Sequence, residues 1–179
     1  MEKLQIEPLN VEKDIPIIKL WPEIYSNHPN FKCIKHFILE DNTYYGLDEV
    51  ILTNYEFFHI GEDERKFCLS IKNQENVPVG FILACMFNLA RDNPELILQY
   101  IVLSPAYQNL GYGTEVLKEL LETPEKHFNI KPNEVYANIE KDNTASLNLF
   151  KKFGFSFTKA PYNYLRAHKS IKELQEEKI

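Results

Sequence analysis

The segment from Glu95 to Leu121, ELILQYIVLSPAYQNLGYGTEVLKELL, constrains the fold most. Residues 95–103 are nearly all apolar and read as a central strand buried on both faces. Ser104-Pro105 ends that run, and a short polar turn holding Gly111 and Gly113 follows. A helical pattern over 108–122 then sets Val116, Leu117, Leu120 and Leu121 on an inward face. Glycines at the mouth of a helix suit a phosphate. The first helical N–H groups lack intrahelical partners, the helix dipole is positive there, and no side chain holds the anion away. The competing reading is a tight strand–helix turn that simply needs glycine. Two familiar phosphate loops are excluded. A dinucleotide fingerprint needs glycine where Val116 stands, and a Walker A loop needs Gly-Lys-Ser/Thr where Gly113 is followed by Thr114.

The rest of the chain builds an α/β order around this segment. Residues 3–9 alternate as a first strand, and Ile15 and Ile18 predict a helix from Val11 to about Leu20, ended by Pro22. Helices are also expected over 30–40, capped by Asn30, and over 47–58. The period then changes to two, and residues 65–73 and 77–88 read as a β-hairpin turned by NQEN. Thr123-Pro124 starts a short helix, and EVYANIE (134–140) is a strand. Asn143 caps a helix through Phe153, stopped by Gly154. FSFTK and YNYLRA are two more strands, and Ser170 with Glu173 forms a capping box for a last helix. The sheet this implies is mixed, without the regular alternation of a doubly wound fold.

Composition narrows the class. A length of 179 residues fits one domain able to bury a core, and 44% hydrophobic with 26% charged residues is the balance of a soluble protein. No stretch nears the roughly 20 apolar residues needed to span a bilayer. The start, MEKLQIEPLN, lacks the basic-then-apolar layout of a signal peptide. Cys33, Cys68 and Cys85 are odd in number and widely spaced, which predicts a reduced, cytoplasmic protein. The net charge of −6 argues against a nucleic-acid partner. The five histidines show no metal-ligand spacing, so no metal is expected.

Two motifs taken together carry a family resemblance. Gln108-x-x-Gly111-x-Gly113 and the segment NTASLNLFKKFGF (143–155) resemble the GNAT family of acetyl-CoA-dependent N-acetyltransferases, most specifically over residues 79–160. The second motif, Asn143-x-x-Ser146, is most similar to the branch that acetylates ribosomal-protein N-termini. The resemblance implies a single N-acetyltransferase domain over residues 1–179. Its fold is a mixed, mostly antiparallel central sheet with a splayed parallel strand pair, 95–103 and 134–140, and flanking helices. It also implies acetyl-CoA as cosubstrate, with pantetheine paired to the backbone at Ile101, Val102 and Leu103. Gln108, Asn109, Leu110, Gly111, Tyr112, Gly113 and Thr114 would form the pyrophosphate cradle, and Asn143 and Phe150 further cofactor contacts. Tyr44, Tyr45, Phe57 and Phe58 fall where the family builds its acceptor pocket. The expected partners are an amine acceptor and, in a homodimer, a second copy, with neither nucleic acid nor membrane.

Two positions depart from the family's pattern. Many members carry a tyrosine as proton donor to the thiolate where this chain has Phe150, and a glutamate as general base where it has Ile97. Acyl transfer to an amine still needs a neutral amine, an oxyanion donor and a fate for the thiolate. A strand N–H near Leu103 suits the oxyanion and Ser146 the departing sulfur. Glu95, on the face of Ile97 and Gln99 by alternation, is a candidate base through water, against the alternative of a solvated strand end. A weak base favours an α-amine (pKa about 8) over a lysine amine (about 10.4), because more of it is neutral at pH 7. An acetyl-CoA-binding module with little catalysis is the alternative function. Tyr162 and Tyr164, alternating in the last hairpin, are further donor candidates. Lys151 and Lys152 read as a solvated helix end, and Cys68 and Cys85 as buried thiols.

Overall fold

A computed structural model of the chain describes residues 2–30, 50–52, 63–91 and 93–171. The helices expected over 30–40 and 47–58, the C-terminal helix and the four acceptor-pocket aromatics lie wholly or largely outside them. In chain order the elements are β1 (Gln5–Pro8), α1 (Val11–Lys19), α2 (Trp21–Ile24), β2 (Glu64–Lys72), β3 (Pro78–Phe87) and β4 (Glu95–Leu103). A 3-10 turn (Pro105–Tyr107), α3 (Tyr112–Glu122), α4 (Pro124–Phe128) and β5 (Glu134–Glu140) follow, then α5 (Thr144–Lys152), β6 (Ser156–Lys159) and β7 (Tyr164–Ser170). The strands hydrogen-bond in the order β1-β2-β3-β4-β5-β7-β6. β1 with β2, β5 with β7 and β6 with β7 are antiparallel, and β4 with β5 is parallel. This is the mixed, mostly antiparallel sheet with flanking helices that the sequence predicts. The parallel register joins Glu95 to Glu134, Leu96 to Val135 and Ile97 to Tyr136. It stops there, although β4 runs on to Leu103 and β5 to Glu140.

The chain divides into two compact units. One comprises Met1–Phe58, Lys66–Leu83 and Tyr100–Val116. Its core joins Leu9, Ile15, Ile18, Trp21, Ile51, Cys68, Phe81 and Leu83, with Trp21 stacked on Phe81. Asn10 caps α1 by accepting from the Lys13 amide, and Asp14 accepts from the Asn10 amide in return. Pro22 does not simply end this helix. It sits in the first turn of α2, where its missing N–H costs nothing, and Pro16 lies inside α1. Lys72, on β2, is buried and binds Glu7 at 2.6 Å and Asp14 at 3.0 Å. Burial pulls its pKa down, but these two carboxylates outweigh that and hold it above the ordinary value.

Gly80 brings β3 against β4. A Cβ there would stand 2.6 Å from the Val102 carbonyl oxygen and 2.8 Å from Ile71 Cδ1, so no other residue fits without moving backbone. Gly80→Ala is expected to cost about 1–3 kcal/mol, the usual penalty of overpacking, read as a lower denaturant midpoint at unchanged m-value.

The second unit comprises His59–Arg65, Ala84–Gln99 and Leu117–Ile179. Leu96, Leu98, Val135, Ala137, Ile139 and Ala167 face its interior from the strands, and Leu117, Leu120, Leu121, Phe128 and Leu147 from the helices. Two burial expectations change. The hairpin strands β2 and β3 alternate in sequence yet are buried on both faces over 67–72 and 78–86. β4, nearly all apolar, is not buried on both faces along its length: Leu96, Leu98 and Leu103 are buried, whereas Gln99 and Tyr100 are exposed and Glu95, Ile97, Ile101 and Val102 half-buried.

Candidate active site

The glycine turn is longer than its sequence pattern suggests. α3 begins at Tyr112, not at 108, because Asn109 (φ 61°) and Gly111 (φ 91°) are left-handed and cannot continue a helix. The Gly111 carbonyl accepts the first helical bonds, from Thr114 and Glu115. The five amides from Asn109 to Gly113 then donate to nothing among the described residues. They form a run of N–H groups at the positive end of an 11-residue helix. Tyr112 contributes only backbone here, since its ring is buried against Tyr107. The Leu110 side chain is exposed.

Side chains hold this loop from several directions. Gln108 Nε2 donates to the Leu103 carbonyl at 2.7 Å. Asn109 Nδ2 donates to Asn30 Oδ1 at 2.9 Å, and Asn30 Nδ2 to the Pro105 carbonyl at 3.2 Å. Asn73, at the hairpin tip, donates to the Tyr107 hydroxyl at 3.3 Å. Gln108 thus braces the loop on the strand end. The Ser104 amide bonds the Val79 carbonyl on β3. By strand alternation the backbone groups of Ile101 and Leu103 point away from β3, whereas those of Val102 point toward it.

A separate polar cavity of about 170 Å³ opens where the parallel pairing ends. Glu95, Ile97, Tyr136, Asn138 and Arg166 line it. They share a face because Glu95 pairs with Glu134, Ile97 with Tyr136, Tyr136 with His168 and Asn138 with Arg166. His168 lies 2.6 Å from Glu134 and stacks on Tyr136. Arg166 Nε donates to Asn138 Oδ1 at 3.3 Å. Burial first, then the charges of Glu95 and Glu134, push the Tyr136 phenol up, and Arg166 works against them. Tyr136 is therefore a protonated donor at neutral pH. Sequence reasoning found Glu95 but missed Tyr136, Asn138, Arg166 and His168. The alternation of EVYANIE already set Glu134, Tyr136 and Asn138 on one face; only the register of β7 brings in the other two.

Asn143 caps α5, its Oδ1 accepting from the Ser146 amide at 3.1 Å. Ser146 is half-buried in the first helical turn. Phe150 is buried and packs edge-on against Phe155 at 4.8 Å. Tyr162 does not alternate in a strand with Tyr164. It is 93% exposed in the turn at φ 59°, while Tyr164 donates to Glu140 at 3.2 Å. Lys151 and Lys152 are exposed. Cys68 and Cys85 are buried thiols outside any disulfide among the described residues, and burial pushes Cys68 up to about 12. Among the described residues no cluster of metal-ligating side chains occurs, and no helix is long and apolar enough to cross a membrane.

Comparison with known proteins agrees with this architecture. Residues 33–155 match the Acetyltransferase (GNAT) family, and the chain belongs to it. An N-alpha-acetyltransferase of Sulfurisphaera tokodaii is 30% identical over 119 residues, 62% of this chain and 69% of that protein. The crystal structure of PH1933 from Pyrococcus horikoshii OT3 aligns with a TM-score of 0.63 at 18% identity, covering 94% of this chain and 98% of that one. A spermidine N-acetyltransferase from Vibrio cholerae, solved with CoA and spermine, aligns at 0.61 and 15% identity, covering 96% and 98%. These structures share the fold. Membership makes the protein an acetyl-CoA-dependent N-acetyltransferase with acetyl-CoA as cosubstrate.

Proposed function

We propose that this enzyme transfers acetyl directly from acetyl-CoA to an amine that docks in the cavity of Glu95, Tyr136 and Arg166, without an acyl-enzyme. The acceptor is the α-amine of a peptide or protein N-terminus, or a small amine. The observation that carries this reading is Glu95: a half-buried carboxylate, without an ion pair among the described residues, lining the cavity on the same face as Ile97, the last β4 residue that pairs with β5. The name of the Sulfurisphaera tokodaii relative points to the same acceptor class.

The residues present fit the cosubstrate. The unpartnered amides of 109–113 suit its pyrophosphate, with Gln108 holding them in place and Thr114 completing the turn. The outward backbone groups of Ile101 and Leu103, on either side of Val102, offer strand-like bonds to the pantetheine amides. The Leu103 carbonyl already accepts from Gln108, so its amide is the group left to donate. Acetyl-CoA supplies a thioester whose thiol, with pKa about 8.5, is a fair leaving group. As the new C–N bond forms and the C–S bond breaks, Glu95 takes the ammonium proton through water. Ser146 donates a hydrogen bond to the sulfur, which leaves as the thiolate, and Phe150, which has no such donor, is left as packing beneath α5. Asn143 holds Ser146 at the helix start through its cap. The protein is read as cytoplasmic, and as a homodimer, which light scattering tests.

Acetyl-CoA binding by calorimetry, paired with thiol release across amines and peptides, tests the whole reading. Binding without turnover on any acceptor would turn the protein into a cofactor-binding module. Ser146→Ala is expected to lower kcat by about tenfold or more, with acetyl-CoA affinity within about twofold of the parent. An unchanged kcat removes the hydrogen bond from Ser146 to the departing sulfur.

A further inference from the structure

Resting on the acceptor site just described, we infer that the acceptor carries an anionic group several ångströms from the amine that is acetylated. The cavity is bipolar. Glu95 stands at one end, and its carboxylate has no bonded partner among the described residues. Arg166 stands at the other, on β7, two strands away and opposite Asn138. Asn138 takes only the Nε hydrogen of Arg166, at 3.3 Å. The two terminal nitrogens of the guanidinium donate to nothing among the described residues, and they are the fork that matches a carboxylate or phosphate. Asn138 therefore orients the arginine without occupying the edge that binds an anion.

The neighbouring charges leave these two groups available. Glu134 is the other carboxylate on this face near Tyr136, and it is engaged by His168 at 2.6 Å. Glu140, farther along β5, accepts from the Tyr164 hydroxyl. Ile97 gives the cavity an apolar floor between its charged ends, and the Tyr136 hydroxyl adds a donor. Adjacent strands lie about 4.8 Å apart, so Glu95 and Arg166 are separated by about 10 Å across the sheet, besides their offset along it. Their side chains narrow that gap. A polycation, by contrast, would bring one of its ammonium groups against the guanidinium, a like-charge contact that disfavours it.

The test uses acceptors in matched pairs: ω-amino acids of increasing length against the alkylamines lacking the carboxylate, and tripeptides with Glu or Gln at each position. Thiol release gives kcat/KM, and calorimetry on the enzyme saturated with CoA gives acceptor affinity directly. The anionic partner of a pair is expected to be preferred by about tenfold or more, the size of a charge-assisted bond. Arg166→Gln should bring the ratio near one, by raising KM and weakening calorimetric binding of the anionic acceptor. Arg166→Lys should restore part of it. Turnover without any preference for the anionic partner, or with polyamines preferred, overturns this inference and leaves the acetyltransferase reading standing. Anionic-amine binding that Arg166→Gln abolishes, with no thiol release from any acceptor, supports this site and overturns the proposed transfer. A preference that survives Arg166→Gln overturns the assignment to Arg166.

Discussion

Gly113→Glu is expected to raise the Kd for acetyl-CoA by a hundredfold or more, about 2.8 kcal/mol, while the protein keeps or gains thermal stability. Gly113 has no left-handed backbone, unlike Gly111, so a side chain there is not strained. It lies in the first turn of α3, where a glutamate is a better helix former than glycine and its charge complements the dipole. Neither backbone strain nor helix propensity at this position therefore opposes folding. A pyrophosphate held by the amides of 109–113 would meet that carboxylate at short range, in competition for the same N–H groups. Gly113→Ala adds the Cβ without the charge and separates bulk from repulsion. Calorimetry with acetyl-CoA and a thermal melt make the comparison. An unchanged Kd for Gly113→Glu would mean that the cradle is misplaced. Gly111→Glu is the poorer probe, because φ 91° penalises any side chain and confuses misfolding with lost binding.

Lys72→Met should be the most destabilising of the substitutions considered, at about 3–5 kcal/mol, because it strands a buried charge. Asp14 is 1% exposed, and among the described residues its carboxylate is compensated by Lys72 and the Asn10 amide. Glu7 is more open to water and loses little when its partner goes. Urea melts of Lys72→Met, Glu7→Gln and the Lys72→Met/Asp14→Leu pair resolve the two partners. The double variant removes both buried charges and should recover much of the loss, as replacing a whole buried ion pair by apolar groups often does. A loss under 1 kcal/mol for Lys72→Met would show that water reaches Asp14.

The fold was largely legible because its signals are local. β5 was predicted at the bounds it has, Glu134–Glu140, and Asn143 and Gly154 punctuate α5 as their chemistry dictates. Where the reading failed, a different force had the last word. The start of α3 moved four residues because left-handed backbone at Asn109 and Gly111 outweighs a helical hydrophobic pattern. β4 looked doubly buried because hydropathy cannot distinguish an apolar face packed in a core from one that floors a cavity, as Ile97 does. For the site, the loop proposed to hold the cofactor is one contiguous stretch and can be read in order. The cavity proposed for the acceptor is assembled from β4, β5 and β7, so Tyr136 and Arg166 became neighbours only through strand register, which no single segment encodes.

The tethers on the glycine loop set the timing of its order. Asn30, Asn73 and Gln108 fasten it through hydrogen bonds made entirely within the protein. Its conformational entropy is thus surrendered during folding rather than at the moment of encounter. Loop closure need not limit cofactor capture. In the proposed cradle a diphosphate would meet amides already aligned, and its rate of association would be governed by diffusion and by the net negative charge of the chain.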